Sequence, residues 1–148
     1  MGLIFQLALS VVLLSCTGEA NQPSARLSDS SKLIDGKFRL ELLVRGAPND
    51  AARILGVYGN QNFVVDSAKS DASGLFVFEA DTLLPTGFYY LMLGSDNSYF
   101  QLLLDKDQEF KLETSKGDYV NSMVVTGNLD NELLYQNLKF EAEFNARL

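Results

Sequence analysis

From Lys37 onward the chain alternates. In "KFRLELLVRG", Phe38, Leu40, Leu42 and Val44 take every second position against Arg39, Glu41 and Arg45, with Leu43 breaking the polar face. A period of two sends successive side chains to opposite faces of an extended chain and predicts a half-buried strand. The same pattern, in weaker or fuller form, recurs over residues 52–59, 62–70, 74–80, 88–94, 98–105, 109–114 and 122–127. Polar or Gly/Pro stretches such as "SDASG", "LPTG" and "SDN" separate them and read as turns. The run "FYYLMLG" is apolar on both faces and predicts a central strand, with "SYFQLLLD" as its hairpin partner. About eight short strands at this spacing predict an all-β fold, an antiparallel β-sandwich over residues 37–127. No helical period interrupts them, which argues against a doubly wound α/β fold.

The period changes at residue 128. "LDNELLYQNLKFEAEFNARL" predicts an amphipathic helix, with Asn131 or Asp130 able to cap its start. At 100° per residue, Leu133, Leu134, Leu138, Phe140, Phe144 and Leu148 fall within an arc of about 160°. Such a stripe needs a surface to pack on. It folds back on the sandwich or leads into a further domain, and these residues are the candidates for packing against a partner.

The N-terminus has a third character. Residues 3–14 are apolar apart from Gln6 and Ser10, and as a helix would reach about 18 Å. That is short of the roughly 30 Å bilayer core and fits the apolar region of a signal peptide. The run ends in Leu13-Leu14-Ser15-Cys16, which resembles a bacterial lipobox. The n-region lacks Lys and Arg, and Leu14 is larger than the residues common there. The reading divides the chain into a lipoprotein signal peptide over 1–15 and a lipidated, flexible tether over 16–36. Cys16 is then the lipid attachment point and the chain an envelope lipoprotein, periplasmic or surface-facing, at the outer membrane. The tether's Pro, Ser and charged residues carry no apolar period.

Charge and composition narrow the chemistry. The net charge is −7, and neither a basic footprint for nucleic acid nor a Lys/Arg cluster for anionic lipid is present. Histidine is absent and Cys16 is the single cysteine. The chain alone therefore assembles no Ser-His-Asp or Cys-His centre, no zinc site and no C-x-x-C redox pair. Asp105, Asp107 and Glu109 in "DKDQE" are the candidate acids for a cation or for general acid/base work. The expected Gly and further oxygen ligands are missing, and a solvated turn explains them. In "VDSAKSDASGLF", Asp66, Ser67, Asp71, Ser73 and Gly74 read as turn chemistry. Phe88, Tyr89, Tyr90, Tyr99 and Phe100 form a ligand strip, or are divided between core and cross-strand pairs.

Residues 38–135 resemble a domain of unknown function, DUF4369, found N-terminal to thioredoxin-like domains in Bacteroidetes-type lipoproteins. The resemblance rests on "VVDSAKSDASGLFVFEA", "LPTGFYYLML" and "VTGN" with the helix after it. It implies a non-catalytic accessory module of a thiol-disulfide oxidoreductase system, without a cofactor of its own, whose partner is a thioredoxin-like domain. The redox chemistry does not carry over, because no residue here corresponds to the cysteine pair. The alternative is a stand-alone lipoprotein that binds a peptide or glycan on an exposed sheet edge or aromatic strip.

Overall fold

The computed structural model describes residues 36–147. Cys16, the expected signal peptide over 1–15, the expected tether up to residue 35 and Leu148 lie outside the described residues. Eight strands and one helix follow in order: β1 (Phe38–Arg45), β2 (Ala51–Tyr58), β3 (Gln61–Lys69), β4 (Leu75–Ala80), β5 (Gly87–Leu93), β6 (Tyr99–Leu104), β7 (Glu109–Ser115), β8 (Val124–Thr126) and α1 (Leu129–Asn145). They form two four-stranded sheets, β4-β1-β7-β8 and β3-β2-β5-β6, with the core between them. The fold is thus the expected β-sandwich with a C-terminal helix. β5 is an interior strand, and β6 is its antiparallel partner from Met92↔Tyr99 to Gly87↔Leu104.

One pairing departs from an all-antiparallel sandwich: β1 and β7 run parallel, from Arg39↔Glu109 to Arg45↔Ser115. A parallel pair needs a long crossover, and here the crossover takes in the whole second sheet together with β4. The alternating residues behave as the period predicts. Phe38, Leu40, Leu42 and Val44 of β1 face Ile54, Leu91 and Leu102 of the other sheet's strands as members of one core, all essentially without solvent contact. Burial of each such side chain contributes roughly 1.5–3 kcal/mol.

The two outer faces are unlike. On the β1 sheet, Arg39 bonds to Glu41 and Glu79, Lys111 reaches Glu41 at 2.7 Å, and Arg45 meets Glu113 at 2.8 Å. The Lys111 ammonium, then the Arg39 guanidinium, hold the Glu41 carboxyl below its usual range. These are exposed pairs that suit a wetted face and add little stability singly. The outer face of the β2 sheet instead carries an apolar and aromatic strip beside Arg53, Asn62 and Gln101, as described below.

The β3–β4 turn joins the sheets and is fixed by Asp71. Its carboxylate accepts from the Ser73 hydroxyl at 2.6 Å and from the Ser73 and Leu75 amides at 2.8 and 3.0 Å. These bonds, the hydroxyl's first, lower its pKa. Gly74 sits at φ +90°, and its carbonyl accepts from the Val44 amide of β1. A Cβ at this position would overlap the Val44 carbonyl oxygen, so both backbone angle and space demand glycine. Gly74→Ala is expected to destabilise the domain by about 2 kcal/mol or more. A chemical-denaturation midpoint within error of the wild type's contradicts this account of the turn.

Candidate interaction surface

β6 ends the second sheet, so one row of its backbone groups has no strand to pair with. Side chains from α1 take that place. The Asn131 amide accepts from the Leu103 amide at 2.8 Å and donates to the Leu103 carbonyl at 2.7 Å. One turn on, the Tyr135 hydroxyl donates to the Gln101 carbonyl at 2.7 Å. Alternate residues of the strand, 101 and 103, point these groups outward, and residues four apart on one helix face meet them. On its other flank α1 meets β8, where the Lys139 ammonium donates to the Met123 carbonyl at 2.6 Å. The helix therefore closes the side of the sandwich where β6 and β8 are the edge strands, which also protects the β6 edge.

The start of the helix is built by a second asparagine. Neither Asn131 nor Asp130 caps it; Asn128 does, from extended backbone at φ −145°. Its side-chain oxygen accepts from the Asn131 amide N–H and from the Asn131 side chain, both at 2.9 Å, and its own NH₂ donates to the Asp107 carbonyl at 2.7 Å. Gln108, also buried, does the same for a different segment: it donates to Leu84 and Asp105 carbonyls and accepts from the Leu84 amide. In "DKDQE" the structural weight thus rests on Gln108 and on two backbone carbonyls. The three acids are not brought together. Asp105 lines a groove beside α1, Glu109 stands at the end of the other sheet near Lys37 and Arg39, and Asp107 is exposed.

The apolar residues of α1 divide between two faces. Leu134 and Leu138 are half-buried against the core around Asn131 and Tyr135. Leu133, Phe140 and Phe144 are 53%, 67% and 57% exposed, and Leu129 joins them at 67%. At 100° per residue, Leu129, Leu133, Phe140 and Phe144 occupy an arc of only about 60°, opposite the docked face. The stripe expected from the sequence is therefore divided: its Leu133, Phe140 and Phe144 edge turns outward and its Leu134 and Leu138 edge turns to the core, with Asn131 and Tyr135 docked beside the latter.

This row is continuous with an apolar sheet face. A groove of about 600 Å³ lies between α1 and the β5–β6 hairpin, lined by Phe88 and Leu103 on one wall and Leu133 and Asn137 on the other. Beyond it, the outer face of the β2 sheet carries Leu55, Val57, Tyr90, Met92 and Tyr99 around a shallow depression of about 450 Å³. Phe88, Tyr90 and Tyr99 pack edge to face at centroid distances of 5.3 and 5.6 Å. The five aromatics singled out in the sequence are thus split: these three face outward, while Tyr89 and Phe100 are in the core.

The profile of the family described as a domain of unknown function (DUF4369) matches residues 34–134, and the chain belongs to that family. The match ends inside α1, just past Asn131 and Leu133. The comparison with curated proteins finds no match.

Two measurements test the docking. Asn131→Ala leaves the Leu103 amide and carbonyl unpaired, at an expected cost of about 2–4 kcal/mol. Hydrogen exchange at the Leu103 amide should accelerate with it; an unchanged rate contradicts the bond. Burial raises the Tyr135 phenol far above the usual range, and burial also raises Tyr89 and Tyr119. A raised pKa means that the neutral phenol is the folded form. Its contribution is intact below the unfolded value of about 10 and is lost as pH climbs toward the folded value. The domain should therefore lose stability steadily above pH 10, measured as a falling chemical-denaturation midpoint; a flat profile contradicts this.

Proposed function

We propose that the chain is a non-catalytic accessory module of a thioredoxin-like thiol-disulfide system in the cell envelope. Lipid on Cys16 holds it to the membrane, and the module positions the redox domain or that domain's substrate protein. The observation that carries this reading is the outward apolar row of α1. Four large apolar side chains in one line, on a helix docked by its opposite side through Asn131 and Tyr135, are what a docked neighbour covers. The family resemblance supplies the nature of the neighbour. The chain has one cysteine and no C-x-x-C, so the disulfide chemistry is assigned to the partner. Membrane attachment is assigned to acyl chains; no helix among the described residues is long and apolar enough to cross a bilayer.

A second reading, a stand-alone module binding a peptide or glycan, is favoured by the Tyr90–Tyr99 depression on the β2 sheet. Both readings are separated by cross-linking in the native cells. A photo-reactive amino acid replaces Leu133 in one strain and Tyr99 in another, and the adducts are identified by mass spectrometry. The proposal expects the Leu133 adduct to be a membrane-associated protein with a thioredoxin fold, and expects Cys16→Ala to abolish it by releasing the chain from the membrane. Adducts only from the Tyr99 position, or only with proteins of other folds, overturn it.

A further inference from the structure

The chemistry of the surface around the α1 row specifies what kind of segment covers it. On the helix wheel, Asp130 and Glu141 flank the row on one side, and Glu132 and Glu143 flank it on the other, each within about 80° of it. Asp105 and Asp130 line the groove that the row borders, and no Lys or Arg does. The one basic residue of α1, Lys139, and Arg147 just beyond its end do not offset this rim. Lys139 is turned toward the sandwich on the Met123 carbonyl, and Arg147 stands at the far end beside Glu143 at 4.0 Å.

From this arrangement we propose that the α1 row and its groove are a docking site for an amphipathic helix whose apolar stripe is flanked by Lys and Arg. Three features select that occupant. The row runs from Leu129 to Phe144, about 22 Å or four turns, which is the length of an ordinary helix rather than of a compact ligand. Its residues recur at helical spacing, which suits the ridges and grooves of a facing helix, with Gln136 on the row between Leu133 and Phe140. Along the first half of the row, from Asp130 to Asn137, the groove wall made by Phe88 and Leu103 gives that helix a second apolar surface, the arrangement of a helix seated in a groove. A second copy of this chain is a poor occupant, because it would set acidic rim against acidic rim. An anionic lipid surface is repelled for the same reason. Basic residues on the incoming helix face the carboxylates on both sides, which sets register and raises the association rate.

The inference rests on the proposed function only in treating the row as a docking face; it does not depend on a thioredoxin fold in the partner. Its test uses the purified full chain and two synthetic peptides of about 18 residues, enough for a little over four turns. Both carry Leu at the a and d positions of a heptad; one has Lys at the flanking e and g positions and the other Glu. Fluorescence anisotropy is expected to show at least tenfold tighter binding of the Lys peptide at low salt, with the preference shrinking as salt is added. The double variant Leu133→Gln/Phe140→Gln, altered only at exposed positions, should lose binding of the Lys peptide while keeping the wild-type circular dichroism and melting temperature. The variant Asp130→Asn/Glu132→Gln/Glu141→Gln/Glu143→Gln should lose the preference. Equal binding of the two peptides, or binding of the Lys peptide that survives Leu133→Gln/Phe140→Gln, overturns the proposal. So does a concentration-dependent dimer in sedimentation that the double variant dissolves, or cosedimentation with anionic phosphatidylglycerol vesicles through the row. If the peptides discriminate as stated and cross-linking from Leu133 finds no thioredoxin fold, the functional assignment fails and this surface stands. If the cross-link finds that fold and the peptides do not discriminate, the reverse holds.

Discussion

Two buried asparagines govern how this chain presents itself. Asn131 takes the place of a missing neighbour strand by pairing with both backbone groups of Leu103, and Asn128 holds Asn131 in position while capping the helix. A buried amide left unpaired costs more than a paired one contributes, so this geometry tolerates little rotation of the helix. Tyr135, bonded to Gln101, is the second fixed point one turn further on. With two points fixed, the outward face of α1 is decided. The exposure of Leu129 and Leu133 follows from polar contacts on the opposite side of the helix, and Phe140 and Phe144 extend their row along a segment, residues 140–147, that is exposed on every face.

The sandwich divides its labour between its faces in the same way. The β1 sheet shows water a lattice of ion pairs, Arg39 with Glu41 and Glu79, Lys111 with Glu41, and Arg45 with Glu113. The β2 sheet shows Leu55, Val57, Tyr90, Met92 and Tyr99, and through Phe88 and Leu103 this face runs to the helix row. Apolar surface on a chain of this size is ordinary when scattered. Concentrated on one sheet face and one helix face that adjoin, it marks a side of the molecule built to be covered. The acids around α1 add a condition on what covers it.

Much of the fold was legible because a period of two is a direct consequence of strand geometry. β1, β4 and β7 read from Phe38, Phe76 and Phe110 with their alternating neighbours, and bounds shift by a residue or two at β2, β3 and β8. Pairing was less legible. Nothing in the alternation of β1 and β7 says that they run parallel, since partner choice depends on where the intervening chain goes. The helix was legible as a helix but not in its orientation. A wheel that counts apolar residues leaves open whether the stripe packs on the sandwich or on a further domain, whereas hydrogen bonds from Asn131 and Tyr135 to an edge strand set the rotation here. The cap was misplaced by the same cause: Asn128 and Asn131 are both good capping residues, and only the position of β6 assigns them different tasks. In "DKDQE" the charged residues are the conspicuous ones, yet Gln108 between them is the buried group, holding Leu84 at both its amide and its carbonyl. An amide that pairs with a distant backbone leaves no local pattern.

The most direct measurement is residue-by-residue thiol labelling along α1. With Cys16→Ser removing the native cysteine, single variants Leu133→Cys, Leu134→Cys, Leu138→Cys, Phe140→Cys and Phe144→Cys are reacted with a maleimide under native conditions. Docking through Asn131 and Tyr135 predicts rates near those of a free thiol at positions 133, 140 and 144 and rates at least tenfold slower at 134 and 138. Equal rates at all five positions, or slow labelling at 133, 140 and 144 with fast labelling at 134 and 138, would show that the two asparagines do not set the face this helix turns outward.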